Sequence, residues 1–174
     1  SIVAHYFLNH GTDEQKQYYL PKLASGDMVG AIAMSEPDAG SDLRGIRTKA
    51  TSNGDYFQLN GSKTFITNGY LAEIVLVFAK MDTPEHNGRF SVFIVEPNKH
   101  AGFSVGNRLK KIGLKAQDTS ELFFDNIELT NADILGENPG QGLYQLMGDL
   151  PYERLIIADM ALGAMEGAYQ LTVD

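Results

Sequence analysis

The stretch Leu150-Pro151-Tyr152-Glu153-Arg154-Leu155 sets a carboxylate beside a guanidinium at the head of a run rich in apolar and small residues. A glutamate is rarely buried unless paired. Two readings follow. Glu153 is one half of a surface Glu–Arg neighbourhood worth under ~1 kcal/mol, or it is a carboxylate in a dry pocket, its proton affinity raised by desolvation, able to act as a general base. Sequence neighbours on a helix do not face each other, so Glu153 and Arg154 should meet different surroundings. A second constellation is Ser35-Glu36-Pro37-Asp38-Ala39-Gly40-Ser41-Asp42, at the end of the apolar run Val29–Met34. Such a loop presents backbone N–H groups and two serine hydroxyls to an anion, or it is an ordinary turn. It lacks the Gly-Lys-Ser/Thr ending of a P-loop and the Gly-x-Gly-x-x-Gly of a dinucleotide fold. The third is Phe65-Ile66-Thr67-Asn68-Gly69, where a ring and a hydroxyl could meet a planar heterocycle, or where a core Phe precedes a turn.

Other chemistries find little support. His5, His10, His86 and His100 show no ligand spacing, so no metal site is expected. The absence of cysteine removes disulfides, thiolate ligands and a Cys nucleophile. No Gly-x-Ser-x-Gly elbow is present. With 14 basic against 22 acidic residues the net charge is -8, and the longest basic run is Lys110-Lys111. That argues against a nucleic-acid partner while leaving room for a phosphate-bearing small ligand held by backbone N–H groups. No apolar run approaches the ~18 residues of a membrane span. Composition, at 43% hydrophobic and 21% charged over 174 residues, is that of a soluble globular chain. Both ends read as cut from a longer sequence.

Three regions must position these groups. Residues 1–24 read as helix, with capping-box spacing between Thr12 and Gln15 and with Pro21 closing or kinking the end. Residues 27–132 read as β, with runs at Val29–Met34, Tyr56–Leu59, Ser62–Ile66, Ile74–Ala79, Phe90–Glu96, Phe103–Val105 and Glu121–Leu129. Asn60-Gly61 has the form of a type I′ hairpin turn, and Asn53-Gly54 is a second candidate. Turn signals every 8–12 residues or so favour a sandwich or barrel. From about Gly140 the period is helical again, interrupted by Pro151 and continuing to Val173. Its small residues, among them Ala158, Ala161, Ala164 and Gly167, suit close packing against helices that this chain mostly lacks.

Together these stretches resemble the acyl-CoA dehydrogenase family. The resemblance rests on Ala31–Asp42, Leu59–Gly69, Lys111–Thr119, Glu121–Phe124 and Ile134-Leu135-Gly136, in family order and covering essentially the whole chain. It implies an α+β fragment: a mainly antiparallel β-barrel or sandwich middle domain, flanked by helices of an N-terminal helical domain and a C-terminal four-helix bundle. The divisions would be 1–26, 27–137 and 138–174. It implies FAD, contacted by Ile32, Ala33, Met34, Ser35, Glu36, Pro37, Asp38, Ala39, Gly40 and Ser41, and by Phe65, Ile66 and Thr67. It implies a fatty acyl-CoA substrate, contacted by Ser41, His86, Asn87, Tyr144, Pro151, Tyr152 and Arg154. Tyr152-Glu153-Arg154-Leu155 looks like the long-chain type, which places the catalytic glutamate here, as Glu153. The implied reaction is α,β-dehydrogenation to the trans-2-enoyl-CoA, in a homotetramer that passes electrons to electron-transfer flavoprotein. A bacterial cytoplasm is the expected compartment, with the mitochondrial matrix as the alternative. An acyl-CoA oxidase, a related flavin monooxygenase and a non-catalytic β-barrel binding module are the competing readings.

Overall fold

A computed structural model describes residues 1–173. Two short helices come first, α1 (Ile2–His10) and α2 (Asp13–Ser25). The break falls at Gly11-Thr12, where the Thr12 side chain accepts the Gln15 N–H at 3.2 Å and the Gln15 side chain accepts the Thr12 N–H at 3.1 Å. This is the expected capping box, satisfying two of the donors that a helix start leaves orphaned. Pro21 does not end α2, which runs on to a left-handed Gly26 with φ 84°. A proline removes one i→i−4 bond, and the neighbouring turns carry the helix past it.

The middle of the chain forms one seven-stranded sheet: β1 (Gly30–Ala33), β2 (Lys49–Asn53), β3 (Tyr56–Thr67), β4 (Ile74–Asp82), β5 (Phe90–Val95), β6 (Phe103–Arg108) and β7 (Thr119–Leu129). The path is β1-β4-β2-β3-β7-β6, with β5 on the other edge of β4. Parallel pairing of β4 with both β1 and β2 makes the sheet mixed. Four of the six strand pairings are antiparallel, as expected, but among the described residues the sheet does not close into a barrel. Long β3 and β7 supply the antiparallel body. The β2–β3 turn lies at Asn53-Gly54, where Gly54 has φ 67°. Asn60-Gly61 is not a hairpin turn. It sits inside β3 at a register shift against β7, and a Cβ on Gly61 would collide with the Thr48 hydroxyl oxygen. Glycine is there for close approach rather than for reversal.

β4 is buried on both faces, and period-two alternation sends its side chains to two cores. Val75, Val77, Ala79 and Met81 join Leu59, Phe93, Leu122, Phe124, Ile127 and Leu129. Ile74, Leu76 and Phe78 join Val3, Tyr6, Phe7 and Tyr19 of the first helices and Leu135 and Leu146 beyond the sheet. The second core therefore fixes α1 and the start of the last helix against the same strand. That helix, α3 (Gly142–Val173), is continuous through Pro151. Its first two turns bury Gln145, Leu146 and Asp149. Beyond them Leu155, Ile157, Met160, Leu162, Met165 and Tyr169 are exposed, so the face expected to pack on other helices has no partner among the described residues.

Candidate functional site

The two loop segments singled out in the sequence meet in space. Thr64 N–H donates to the Ser35 carbonyl at 3.0 Å. Lys63 Nζ donates to the Met34 carbonyl and to Glu36 Oε1, both at 2.9 Å. The Lys63 side chain is wholly inaccessible and that of Glu36 nearly so. Glu36 also accepts the Arg47 and Thr48 N–H groups. Burial raises the Glu36 pKa, and these donors with the Lys63 charge outweigh it, leaving the carboxyl below its ordinary value. Burial pushes the Lys63 ammonium down to about 8 against the pull of Glu36. Glu36 therefore turns inward as an internal staple, and its side chain does not face the loop's outer surface. Lys63 was not among the expected site residues, because nothing local marks a β-strand lysine as a partner for a loop 27 residues earlier.

Around that staple the remaining expected cofactor residues divide by exposure. Ala33 and Ala39 are buried, Ile32, Met34 and Ser35 half-buried, and Pro37, Asp38, Gly40 and Ser41 exposed. Glu36 and Ala39 exchange backbone hydrogen bonds at 2.8 and 3.1 Å, folding Glu36–Ala39 into a tight turn. Phe65 has φ 59° and an exposed ring, while Ile66 beside it is buried. A left-handed backbone costs an aromatic residue of order 1 kcal/mol. It sits at the second register shift between β3 and β7, a device that aims a side chain off the sheet. Thr67 is exposed, and with Ile32, Asn68, Gln117 and Ser1–Val3 it lines a cleft of about 310 Å³. An outward ring, a free hydroxyl and backbone groups on a stapled loop fit a planar, phosphate-bearing cofactor.

Glu153 lies on α3 facing α1. Its neighbours are Tyr6 and His5 of α1 and Asp149 one turn earlier on α3. Oε1 of Glu153 and the Tyr6 hydroxyl are both sealed from solvent without a hydrogen-bond partner. Each feels the other's field. Burial, with Glu153 adding to it, lifts the phenol far above its ordinary range. Glu153 is itself raised above an ordinary glutamate: burial is the main cause and Asp149 adds to it, against Tyr6, His5 and Arg154. Arg154 is exposed, so the two sequence neighbours do diverge. Helix α1 ties the regions together, since Ser1–Val3 line the Ile32–Thr67 cleft while Tyr6 meets Glu153, one turn or about 6 Å along the axis.

The expected substrate residues are more scattered. Tyr152 stacks on His5 with centroids 3.9 Å apart. Pro151 is exposed. Tyr144, also exposed, borders a polar cleft with His10, Thr12, Gly136 and Gln141. His86 and Asn87 lie in the β4–β5 connection, at the end of β4 away from its pairing with β1. Asp149, Asn9 and His10 were not anticipated. Asp149 is 2% exposed and binds both α1 side chains, a pairing 139 residues apart that no local pattern announces. Among the described residues no cluster of His, Asp and Glu could hold a metal ion.

Comparison with known proteins shows the family of this chain. The acyl-CoA dehydrogenase middle domain matches residues 31–127 and the N-terminal domain of the same family matches residues 1–27. The mitochondrial long-chain specific acyl-CoA dehydrogenase of Sus scrofa is 47% identical over 98% of this chain and 40% of its own length. Butyryl-CoA dehydrogenase from Megasphaera elsdenii superposes with a TM-score of 0.88 at 38% identity, over 96% of this chain and 43% of the other. A glutaryl-CoA dehydrogenase from Mycobacterium smegmatis, solved in complex with FADH2, gives 0.73 at 36% identity, over 82% and 35%. The chain spans about two fifths of the length of the long-chain relatives it matches. Since the family's middle and N-terminal domains match residues 31–127 and 1–27 and a curated relative is 47% identical over 98% of this chain, the chain belongs to the acyl-CoA dehydrogenase family.

Proposed function

We propose that this chain, within a full-length enzyme of its family, carries out the FAD-dependent α,β-dehydrogenation of a medium- or long-chain fatty acyl-CoA thioester. Glu153 carries the reading. It is a carboxylate sealed from water at one oxygen, with its proton affinity raised by burial, on the helix that faces α1. A base of that kind is matched to a weak carbon acid, because its affinity for a proton is lifted towards the operating pH. In the proposed step Glu153 takes the α-proton, the β-hydrogen leaves with its electron pair, and the α–β double bond forms. FAD, when bound, supplies the acceptor for that hydride.

The chain's own residues hold and orient. Ile32–Ser41 and Phe65–Thr67 bear the cofactor, on a loop kept in place by the Lys63–Glu36 pair. Phe65 offers a ring face, and Thr67 and the Ser35–Ser41 turn offer hydroxyls and N–H groups. Ser41, Tyr144, Pro151, Tyr152 and Arg154, with His86 and Asn87, contact the acyl-CoA. Residues 1–26, 27–137 and 138–174 would then be the end of a helical domain, the cofactor domain and the opening of a helical bundle. The bare face of α3 would be covered by later bundle helices. The remaining proposals are a homotetramer, electron-transfer flavoprotein as acceptor, and a bacterial cytoplasmic or mitochondrial matrix setting. No helix among the described residues is long and apolar enough to cross a membrane.

The test is anaerobic. Full-length enzyme mixed with palmitoyl-CoA should lose its flavin colour and yield one 2-enoyl-CoA per flavin. Addition of electron-transfer flavoprotein should restore the colour. A colourless protein, or reoxidation by oxygen alone at full rate, contradicts the proposal.

A further inference from the structure

We propose that Asp149, held by Asn9 and His10, is a positioning residue that fixes Glu153 against α1 and tunes it as a base. The inference rests on Glu153 being that base. Asp149 sits one helical turn before Glu153 on the same face of α3. Both of its oxygens are engaged: Oδ1 accepts Asn9 Nδ2 at 2.7 Å and Oδ2 meets His10 Nε2 at 2.8 Å. His5 Nε2 lies 3.5 Å from Oδ1 and 3.0 Å from Asn9 Nδ2. The His5 ring is itself stacked on Tyr152. Three side chains of α1 therefore close on one carboxylate of α3, with Glu153 immediately beyond it and Tyr6 opposite.

A carboxylate with 2% exposure is costly to bury unless its lone pairs are filled. An apolar residue would close the same seam at no such cost, as Leu146 does one turn earlier. What a charged residue adds is direction and field. The fixed bonds to Asn9 and His10 set the rotation of α3 about its axis, and so the side on which Glu153 emerges. The groups that face Glu153 are Asp149 of α3 and His5 and Tyr6 of α1, with the exposed Arg154 acting only through its charge. Asp149 is the one negative neighbour among them and favours the protonated carboxyl, while Tyr6, His5 and Arg154 favour the carboxylate. Burial is the main reason Glu153 is basic; the Asp149 charge adds to it, and His5 opposes it.

The experiment is the pH dependence of flavin reduction in full-length enzyme under single-turnover conditions. Rate should climb with pH as Glu153 ionises. In Asp149→Asn, which keeps the shape and loses the charge, the acid limb should move to lower pH by about half a unit to one unit, the size of a partly screened neighbouring charge. In His5→Phe, which keeps the stack on Tyr152 and loses the imidazole, the limb should move the other way. The maximal rate should change more than the half-saturating substrate concentration. An unmoved limb in Asp149→Asn with normal FAD content overturns the proposal. If Asp149→Asn does not accumulate folded, Asn9→Leu, which frees Oδ1 while leaving the Asp149 charge, decides: a limb and maximal rate both unchanged there overturn it. Glu153→Gln run in parallel separates the two ideas: an acid limb that persists there at full rate removes Glu153 as the base, whatever Asp149 does.

Discussion

Lys63→Met removes the cation from the staple beneath the cofactor loop. The Lys63 side chain is fully enclosed, and its Nζ makes two bonds of 2.9 Å, to Glu36 and to the Met34 carbonyl. The pair is not a net gain over an apolar contact, since burial already pulls the ammonium down to about 8. Breaking it is a different matter. Methionine fills the same channel but leaves the Glu36 carboxylate buried with only the Arg47 and Thr48 N–H groups. Loss of one partner from a buried pair costs about 3–5 kcal/mol. In a full-length enzyme as long as its long-chain relatives, of which this chain spans about two fifths, that lowers the melting temperature by about 4 °C. Because Met34 and Glu36 bracket Ser35, whose carbonyl takes the Thr64 N–H, the variant should also bind FAD more weakly. Calorimetry and a flavin titration of the full-length enzyme read the two effects. The double variant Glu36→Gln/Lys63→Met removes the stranded charge and should recover more than half of the lost stability, a coupling that a double-mutant cycle isolates. A single variant as stable as wild type, or a double variant worse than the sum of the singles, would refute the reasoning.

Gly61→Ala should destabilise by about 1–3 kcal/mol, because the new Cβ meets the hydroxyl, Cβ and backbone Cα of Thr48 at under 3 Å; urea titration checks it. Phe65→Gly releases a backbone held at φ 59° and should leave stability unchanged or raise it by about 1 kcal/mol, while FAD affinity falls; a variant that keeps full flavin affinity removes the ring from the site. Glu153 binds a proton more tightly in the fold than in the unfolded chain. Stability from this residue is therefore present at low pH and declines as pH rises from the unfolded value through the raised folded one. That component should be absent from the unfolding curves of Glu153→Gln across the mildly acidic range.

Local signals carried parts of this fold and not others. The Thr12–Gln15 cap and the strand runs were legible, because caps and period-two burial are written within a few residues. The parallel pairing of β4 was not, since Gly30 and Lys49 meet it from far along the chain and their alternation is the same in either sense. Asn60-Gly61 imitates a hairpin turn, yet Asn60 Oδ1 instead accepts the Asn126 N–H across β7. Pro21 reads as a close or a kink and Pro151 as an interruption, but each removes a single donor from a helix otherwise supported by packing or by its own ladder. At the site, motif order brought the Ser35–Ser41 and Phe65–Thr67 segments together in advance. Lys63 below the loop and Asp149 beside Glu153 were not legible, because their contacts join residues 27 and 139 positions apart. Scattered histidines gave no metal spacing, and two of them instead gather on Asp149.

The most direct test of the central claim is rapid mixing of full-length Glu153→Gln enzyme with a long-chain acyl-CoA in the absence of oxygen. Glutamine keeps the shape, binds the thioester and cannot accept its α-proton. Flavin bleaching at least ~100-fold slower than in wild type, with acyl-CoA binding retained, is the predicted result. Bleaching at the wild-type rate would contradict the account and send the search for the base beyond α3.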